Sequence, residues 1–412
     1  MTEKTLDREQ AMAVDAIVNS RSGFILTGGP GTGKTTTLKA AIEALEQAGK
    51  RYLLLAPTGK AAMRISETTG RVAGTIHRLL WSKNREEQVR SADVIVVDES
   101  SMVDIEIMGQ LCRLMQENGL PRLVLVGDPN QLPPVGPGAP FEDAIKADVF
   151  ERVHLTQVYR QKKGSWVIDN AYKILAGEMV SLVDTADFTF VDTDRIELSV
   201  LHYFAAKDSE GANPSSYQVL SPQRRENDRY DSGATTQRIN RSVQEHSPAS
   251  AGIFEQQWGE KYREGDRVVQ TKNNYRAQVV NGQMGTVLSA DADGLTVRLD
   301  DDKELRYSEG GNETMPSPSD LDLAFAVTVH KSQGSQWKSI CFVMDAKHTR
   351  MLQRRLFYTA ITRSEDHLTI IGSREAVARA VKTDMVDQRN TLLVQKLKGD
   401  VSFDGTAHPS TR

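Results

Sequence analysis

Lys34, Thr35, Asp98, Glu99 and Gln131 are the residues of this chain whose types and surroundings could do chemistry. Lys34 and Thr35 close the run Gly28-Gly29-Pro30-Gly31-Thr32-Gly33, which carries little side-chain bulk. In such a loop, backbone N–H groups can turn toward phosphate oxygens, and the N-terminus of a following helix adds partial positive charge. Lys34 would reach the β- and γ-phosphates and Thr35 would take Mg2+, with Gly29, Pro30, Gly31, Thr32, Gly33 and Thr36 completing the cradle. Asp98 can hold Mg2+ while Glu99 orients and deprotonates an attacking water. Gln131 brings an amide to another strand end, where it could sense a γ-phosphate, and Pro133 and Pro134 stiffen the loop beyond it. The chemistry is hydrolysis of a nucleoside triphosphate assisted by Mg2+.

Those residues need strands behind them. Phe24-Ile25-Leu26 precedes the glycines, and Leu38, Ala41, Ile42 and Leu45 follow Thr35 at helical spacing, so the loop sits between a strand and a helix as the phosphate-binding motif requires. Val94 to Val97 is a continuous β-branched run ending at Asp98, and Leu123 to Val126 ends at Gly127-Asp128. Runs of that kind are buried on both faces, the mark of a parallel sheet. Tyr52 to Ala56 is a further strand, ending in Pro57-Thr58-Gly59-Lys60. Ligands sit beyond the carboxyl ends of such strands, which places Thr58 and Lys60 near one. Thr75 and His77 follow on a helical segment. Upstream, Gln10 opens an amphipathic helix, and its amide could pair with the N6/N7 edge of an adenine.

At 412 residues the chain is long enough for two or three domains. Cys112 and Cys341 are its only cysteines, too few for a disulfide framework or a Cys-based zinc site. The N-terminus has no signal-peptide pattern and no apolar run approaches ~18 residues, so a cytoplasmic protein with no membrane partner is expected. A net charge of −4 means that contact with nucleic acid must come from local surfaces such as the stretch holding Arg224, Arg225, Arg229, Arg238 and Arg241, which is otherwise a solvated face.

The order of Gly28–Thr35, Pro57–Ala62, Asp98-Glu99 and Gly127–Val135 resembles the superfamily 1 helicases, and its wording resembles the RecD-like group. The resemblance runs from about Leu6 to Ile371. It implies an α/β chain with two RecA-like P-loop NTPase domains built on parallel sheets, with ATP between them, plus a small SH3-like β-barrel insert. The expected division is 1–150 for the first motor domain, 151–255 with 319–390 for the second, 256–318 for the insert and 391–412 for a loose tail.

In the second half, Leu155 to Gln161 is similar to the family's fourth motif, making Arg160 an arginine finger that spreads transition-state charge. Leu356 to Arg363 is similar to the sixth motif, with Arg363 as the second arginine. Ala324 to Gln336 is similar to the fifth: Gln333 and Gly334 fall on the nucleotide side, Thr328, His330 and Ser332 on the DNA side. Gln336 stands where the family usually has Glu, so an amide would replace a carboxylate at the ribose. Alternating segments from Arg267 to Tyr307 read as the barrel, with Asn273 at its entrance. The DNA track implied for the rest runs over Pro57, Thr58, Lys60, Thr75, His77, Trp81 and Ser221.

Residues 81–92 leave room for one short hairpin at most as a strand-splitting pin, with Asn84 at its turn and Trp81 available to stack on a base pair. The resemblance implies a DNA helicase or translocase acting on single-stranded and forked DNA, moving 5′ to 3′, with replication or repair proteins as further partners. A protein-displacing translocase, an RNA motor and a nucleotide-gated binding module are the alternatives. Glu99 argues against the last, since a mere binder needs no water-activating base.

Overall fold

The structure, a computed structural model, describes residues 6–21, 23–159, 165–227, 231–247, 252–255, 261–312, 314–384, 389 and 391–399. Two compact units divide the chain, Met1–Arg160 with Val386–Arg412, and Gln161–Met385.

The first unit runs α1 (Arg8–Asn19), β1 (Phe24–Gly28), α2 (Lys34–Gln47), β2 (Tyr52–Ala56), α3 (Gly59–Thr69), β3 (Ala73–Thr75), α4 (Ile76–Leu80), α5 (Arg85–Ser91), β4 (Val94–Val97), α6 (Ile105–Glu117), β5 (Arg122–Gly127), α7 (Pro140–Ala147) and β6 (Glu151–Leu155). Its six strands are all parallel, in the order β3-β2-β4-β5-β1-β6. Alternate residues of one strand feed two cores. Val94 and Val96 pack with α1, α2 and α3, while Ile95 and Val97 pack with α4, α6 and α7. Burial on both faces is why these strands read as unbroken apolar runs. Because all six point the same way, the loops after β1, β2, β4 and β5 emerge on one edge. Register keeps them level, with Thr27 beside Gly127 and Val97 beside Leu125.

The second unit runs α8 (Trp166–Ala176), β7 (Phe188–Asp192), α9 (Ile196–Ser209), β8 (Tyr217–Ser221), α10 (Thr236–His246), β9 (Ile253–Glu255), β10 (Lys261–Arg263), β11 (Arg267–Gln270), β12 (Met284–Asp291), β13 (Gly294–Leu299), β14 (Glu304–Ser308), β15 (Leu321–Leu323), β16 (Ala326–Thr328), β17 (Trp337–Met344), α11 (Arg354–Ile361), β18 (Ser364–Gly372) and α12 (Arg374–Lys382). One sheet is parallel, β16-β8-β17-β18-β7, and one is antiparallel, β14-β13-β12-β11-β15. A single apolar cluster joins them, running from Val200 and Val219 through Val268, Leu295 and Tyr307 to Val343.

The structure bears on three of the expected segments. The antiparallel sheet does not end at 318: Leu321–Leu323 is one of its strands, with Asp322 level with Val269. Residues 81–92 hold no hairpin, since 85–91 form α5. Glu86 and Glu87 in its first turn and Arg90 in its last complement the helix dipole, and fully buried Val89 anchors it to the core. The stretch from 391 is not loose throughout. Leu393–Lys398 forms α13, and Leu397 packs on the α6–α7 core. Among the described residues, no helix is long and apolar enough to cross a membrane.

Candidate active site and nucleic-acid interface

The loop after β1 is shaped by close approach. A Cβ on Gly28 would lie 2.5 Å from the Thr32 hydroxyl, and one on Gly33 would lie 2.4 Å from Gln10 Nε2. Gly31 and Gly33 have φ of 73° and 87°, a left-handed backbone in which glycine carries no Cβ penalty. Thr32 Oγ1 donates to the Gly29 carbonyl at 2.8 Å and is buried. Lys34 opens α2, and its Nζ donates to the carbonyls of Gly28 and Gly29 at 2.7 and 2.9 Å. The ammonium therefore lies along the loop whose amides would hold a phosphate. Thr35 is half-buried beside it, whereas Thr36 is exposed.

Asp98 and Glu99 follow β4. Glu99 N–H donates to Asp98 Oδ1 at 2.8 Å, and Asp98 N–H donates to the Leu55 carbonyl at 3.0 Å. Burial, followed by the charge of Glu99, pushes Asp98 up to about 6, and Lys34 acts in the opposite direction. Glu99 has φ 51° and ψ 38°, a left-handed conformation costly for a residue with a Cβ, of order 1–3 kcal/mol. Such strain persists where neighbours enforce it, and here the next residues form a tight 3-10 turn, with the Ser100 hydroxyl bound to the Val97 carbonyl at 2.7 Å.

After β5, Asp128 is fully buried and Gln131 is 4% exposed. Gln131 Nε2 donates to Asp128 Oδ2 at 3.4 Å, while Gln131 Oε1 has no partner among the described residues. A buried amide oxygen without a donor is costly. It fits a site completed by a water or another donor from a ligand. The residues that could hold a divalent cation, Thr35 and Asp98, belong to this same edge of the sheet.

Gln10 is buried, but its amide oxygen already accepts the Asp7 N–H at 3.2 Å, while Asp7 Oδ1 accepts the Gln10 N–H at 2.8 Å. This reciprocal cap closes the start of α1, so a two-point contact with a base requires the cap to open. Arg160 lies outside the described residues, as does Arg229. Arg363 is 2% exposed: its Nε donates to the Thr359 carbonyl at 3.1 Å and its Nη1 to the Ser335 carbonyl at 3.3 Å. Gly334 has φ 75°, Gln333 is buried and Gln336 half-buried on the same turn.

In the second unit, β8 and β16 are neighbours with Ser221 level with Thr328. The segments leaving them line a groove of about 800 Å³ with Arg224, Arg225, Thr328, His330 and Lys331, together with Asp322 of β15 and Thr271 and Asn281 of the connection between β11 and β12. Thr328 Oγ1 accepts the Lys331 N–H at 3.1 Å, and burial lowers the His330 pKa, favouring neutral imidazole. Asn273 is exposed and its Oδ1 accepts the Asn281 N–H at 2.8 Å.

Ser221 and Ser332 are both fully buried, their hydroxyls donating to the carbonyls of Ala234 at 2.8 Å and Val329 at 2.7 Å. Those bonds hold the backbone around the ends of β8 and β16. In the first unit, Thr58 and Thr75 act as N-caps of α3 and α4, accepting from Ala61 N–H at 3.2 Å and Arg78 N–H at 3.0 Å. Thr75 is 5% exposed, and its hydroxyl serves the helix. Pro57, Lys60 and His77 are half-exposed. Trp81 is 75% exposed, its ring edge-on to His77 with centroids 5.4 Å apart.

Residues 5–193 match the AAA domain family and 323–371 the UvrD-like helicase C-terminal domain. The ATP-dependent RecD2 DNA helicase of Deinococcus radiodurans is 36% identical over 96% of this chain, which spans 53% of that protein. The RecBCD enzyme subunit RecD of Mycolicibacterium smegmatis is 30% identical over 95% of this chain and 75% of its own length. The chain belongs to the RecD-like helicase family. The solved structure of Pif1 helicase from Bacteroides in complex with ADP-AlF3 and ssDNA superposes with a TM-score of 0.62, covering 96% of this chain and 99% of that one. At 21% identity that likeness speaks to the fold.

Several contacts of this RecD-like chain escape a motif reading. Glu9 accepts both the Thr156 N–H, at 2.7 Å, and its hydroxyl, at 2.8 Å. Tyr159 donates its hydroxyl to Asp7 and its N–H to the Gly31 carbonyl, the latter at 2.8 Å. The segment after β6 is thereby tied to α1 and to the phosphate loop. Arg389 forks onto the carbonyls of Pro134, Gly136 and Gly138, bracing the loop beyond Gln131. Only the α1 cap carried a sequence signal, the spacing Asp7-x-x-Gln10.

Proposed function

We propose that this chain is an ATP-dependent DNA helicase or translocase that moves 5′ to 3′ on single-stranded DNA, works in the cytoplasm, and couples Mg-ATP hydrolysis to strand separation. The observation that carries the reading is the edge of the first sheet: Lys34 over its own loop, Asp98 with a strained Glu99, and Gln131 with an unshared oxygen. Glu99 is the base toward the attacking water and Gln131 a water-positioning group. When held by Thr35 and Asp98, Mg2+ supplies charge to the phosphoryl oxygens. Arg160 and Arg363 spread transition-state charge. The two units are read as RecA-like motor domains, and the antiparallel sheet as the SH3-like insert. The groove lined by Thr328, His330 and Arg224 is the single-strand track, and the fifth-motif turn at Gly334 and Gln336 serves the nucleotide.

ATP turnover measured alone, with single-stranded DNA and with single-stranded RNA tests this. DNA is expected to stimulate turnover strongly. Turnover indifferent to both would remove the motor reading, and preferential stimulation by RNA would move the substrate class.

The helix at 85–91, in an interval with room for one short hairpin at most, favours a second reading in which the motor tracks single strands and displaces proteins. Exposed Trp81 separates the two. Stacking on a terminal base pair is worth ~1–3 kcal/mol, about 5- to 150-fold in a rate it limits. Trp81→Ala is therefore expected to slow unwinding of a forked duplex within that range while leaving single-strand translocation near wild type. Equal losses in a side-by-side assay would assign Trp81 to the track, and no loss in either would take it off the fork.

A further inference from the structure

One carboxylate stands among the cations of the groove. Asp322 Oδ2 accepts from Arg224 Nη2 at 2.8 Å and from Lys331 Nζ at 3.2 Å. The three residues come from three places: Arg224 from the segment after β8, Lys331 from the segment after β16, and Asp322 from β15 of the antiparallel sheet. All three line the same cavity, beside Thr328 and His330. Their side chains are 57%, 26% and 28% exposed respectively, so the cluster is open to solvent.

A single anionic oxygen gathering a guanidinium and an ammonium is the arrangement a phosphate oxygen would take. We propose that Asp322 is a built-in phosphate surrogate, holding Arg224 and Lys331 and yielding them to a backbone phosphate of the bound strand. This rests on reading the groove as the single-strand track. Partly exposed ion pairs exchange partners at little cost. A phosphate offers Arg224 a two-oxygen partner, which favours the exchange. The displaced carboxylate remains nearby and repels the strand. Affinity at this point of the track is thereby held down, as a motor that must release each phosphate in turn requires.

The counterion balance makes the idea measurable. Cations engaged with Asp322 neutralise fewer phosphates, so fewer counterions leave the strand on binding. The experiment uses the full chain and a fluorescent oligo-dT, with affinity read by anisotropy across a salt series. Asp322→Asn keeps the shape and removes the charge. It is expected to bind about tenfold more tightly, with the log–log salt slope steeper by ~0.7–1.4, one or two further phosphates at ~0.7 each. Asp322→Glu should stay near wild type in affinity and slope.

An Asp322→Asn variant with unchanged or weaker binding would overturn the surrogate. If that weakening came with a lower melting temperature, Asp322 would be a clamp between the antiparallel sheet and the loops after β8 and β16. Failure of the wild-type chain to bind the oligonucleotide at low salt would instead remove the track reading itself.

Discussion

The Glu99→Gln variant should bind ATP and single-stranded DNA as the wild type does and turn ATP over about 10²–10⁴ times more slowly, the contribution of a positioned general base. Gln has the same shape and can occupy the left-handed backbone at 99 at the same cost as Glu, so the turn through Ser100 and its bond to Val97 should survive. Asp98 stays in place beneath it. The lost function is acceptance of a proton from the attacking water, which an amide cannot perform at neutral pH. The measurement pairs kcat from steady-state turnover with Kd for a fluorescent nucleotide. A collapse of nucleotide affinity together with kcat would mean that Glu99 serves the metal or the fold, and the base would have to be sought elsewhere.

Lys34→Ala should lower hydrolysis by about 10³-fold, roughly 4 kcal/mol of transition-state stabilisation. Its ammonium donates to the carbonyls of Gly28 and Gly29 at the loop's own rim, at 2.7 and 2.9 Å. The loop's shape depends on other features: the left-handed Gly31 and Gly33, and the bond from Thr32 to Gly29. Truncation should therefore leave the melting temperature close to wild type while removing the charge that follows the γ-phosphate through the reaction. Near-wild-type turnover in the variant would sink the assignment of this loop to phosphate chemistry. A large drop in melting temperature would show that the ammonium holds the loop as well as the ligand.

Local pattern determined the first sheet and its active edge. Val94 to Val97 and Leu123 to Val126 had to be buried on both faces, and the polar residues following them had to emerge at the strand ends, so Asp98, Glu99 and Gln131 were legible before any coordinates. The glycine spacing of the phosphate loop is equally local, because each glycine answers to a backbone angle or a close contact a few residues away, as Gly28 does to Thr32. Tertiary packing decided what the short polar side chains do. Ser221, Ser332 and Thr75 are as polar as any strand-binding residue, yet their hydroxyls close turns and cap a helix, because buried backbone groups must be paired. It decided the fate of 81–92 too, where burial of Val89 against the first unit's core selects a helix over a hairpin.

The ties least visible in the chain were Glu9 to Thr156, Arg389 to the loop beyond Gln131, and Asp322 to Arg224 and Lys331. All but Asp322–Lys331, nine positions apart, join residues far apart in sequence, and each joins elements whose neighbourhood exists only once the sheets are assembled. A charged side chain on a strand or loop shows its own ionisation in the sequence, whereas its partner is set by strand order and register, which are properties of the fold.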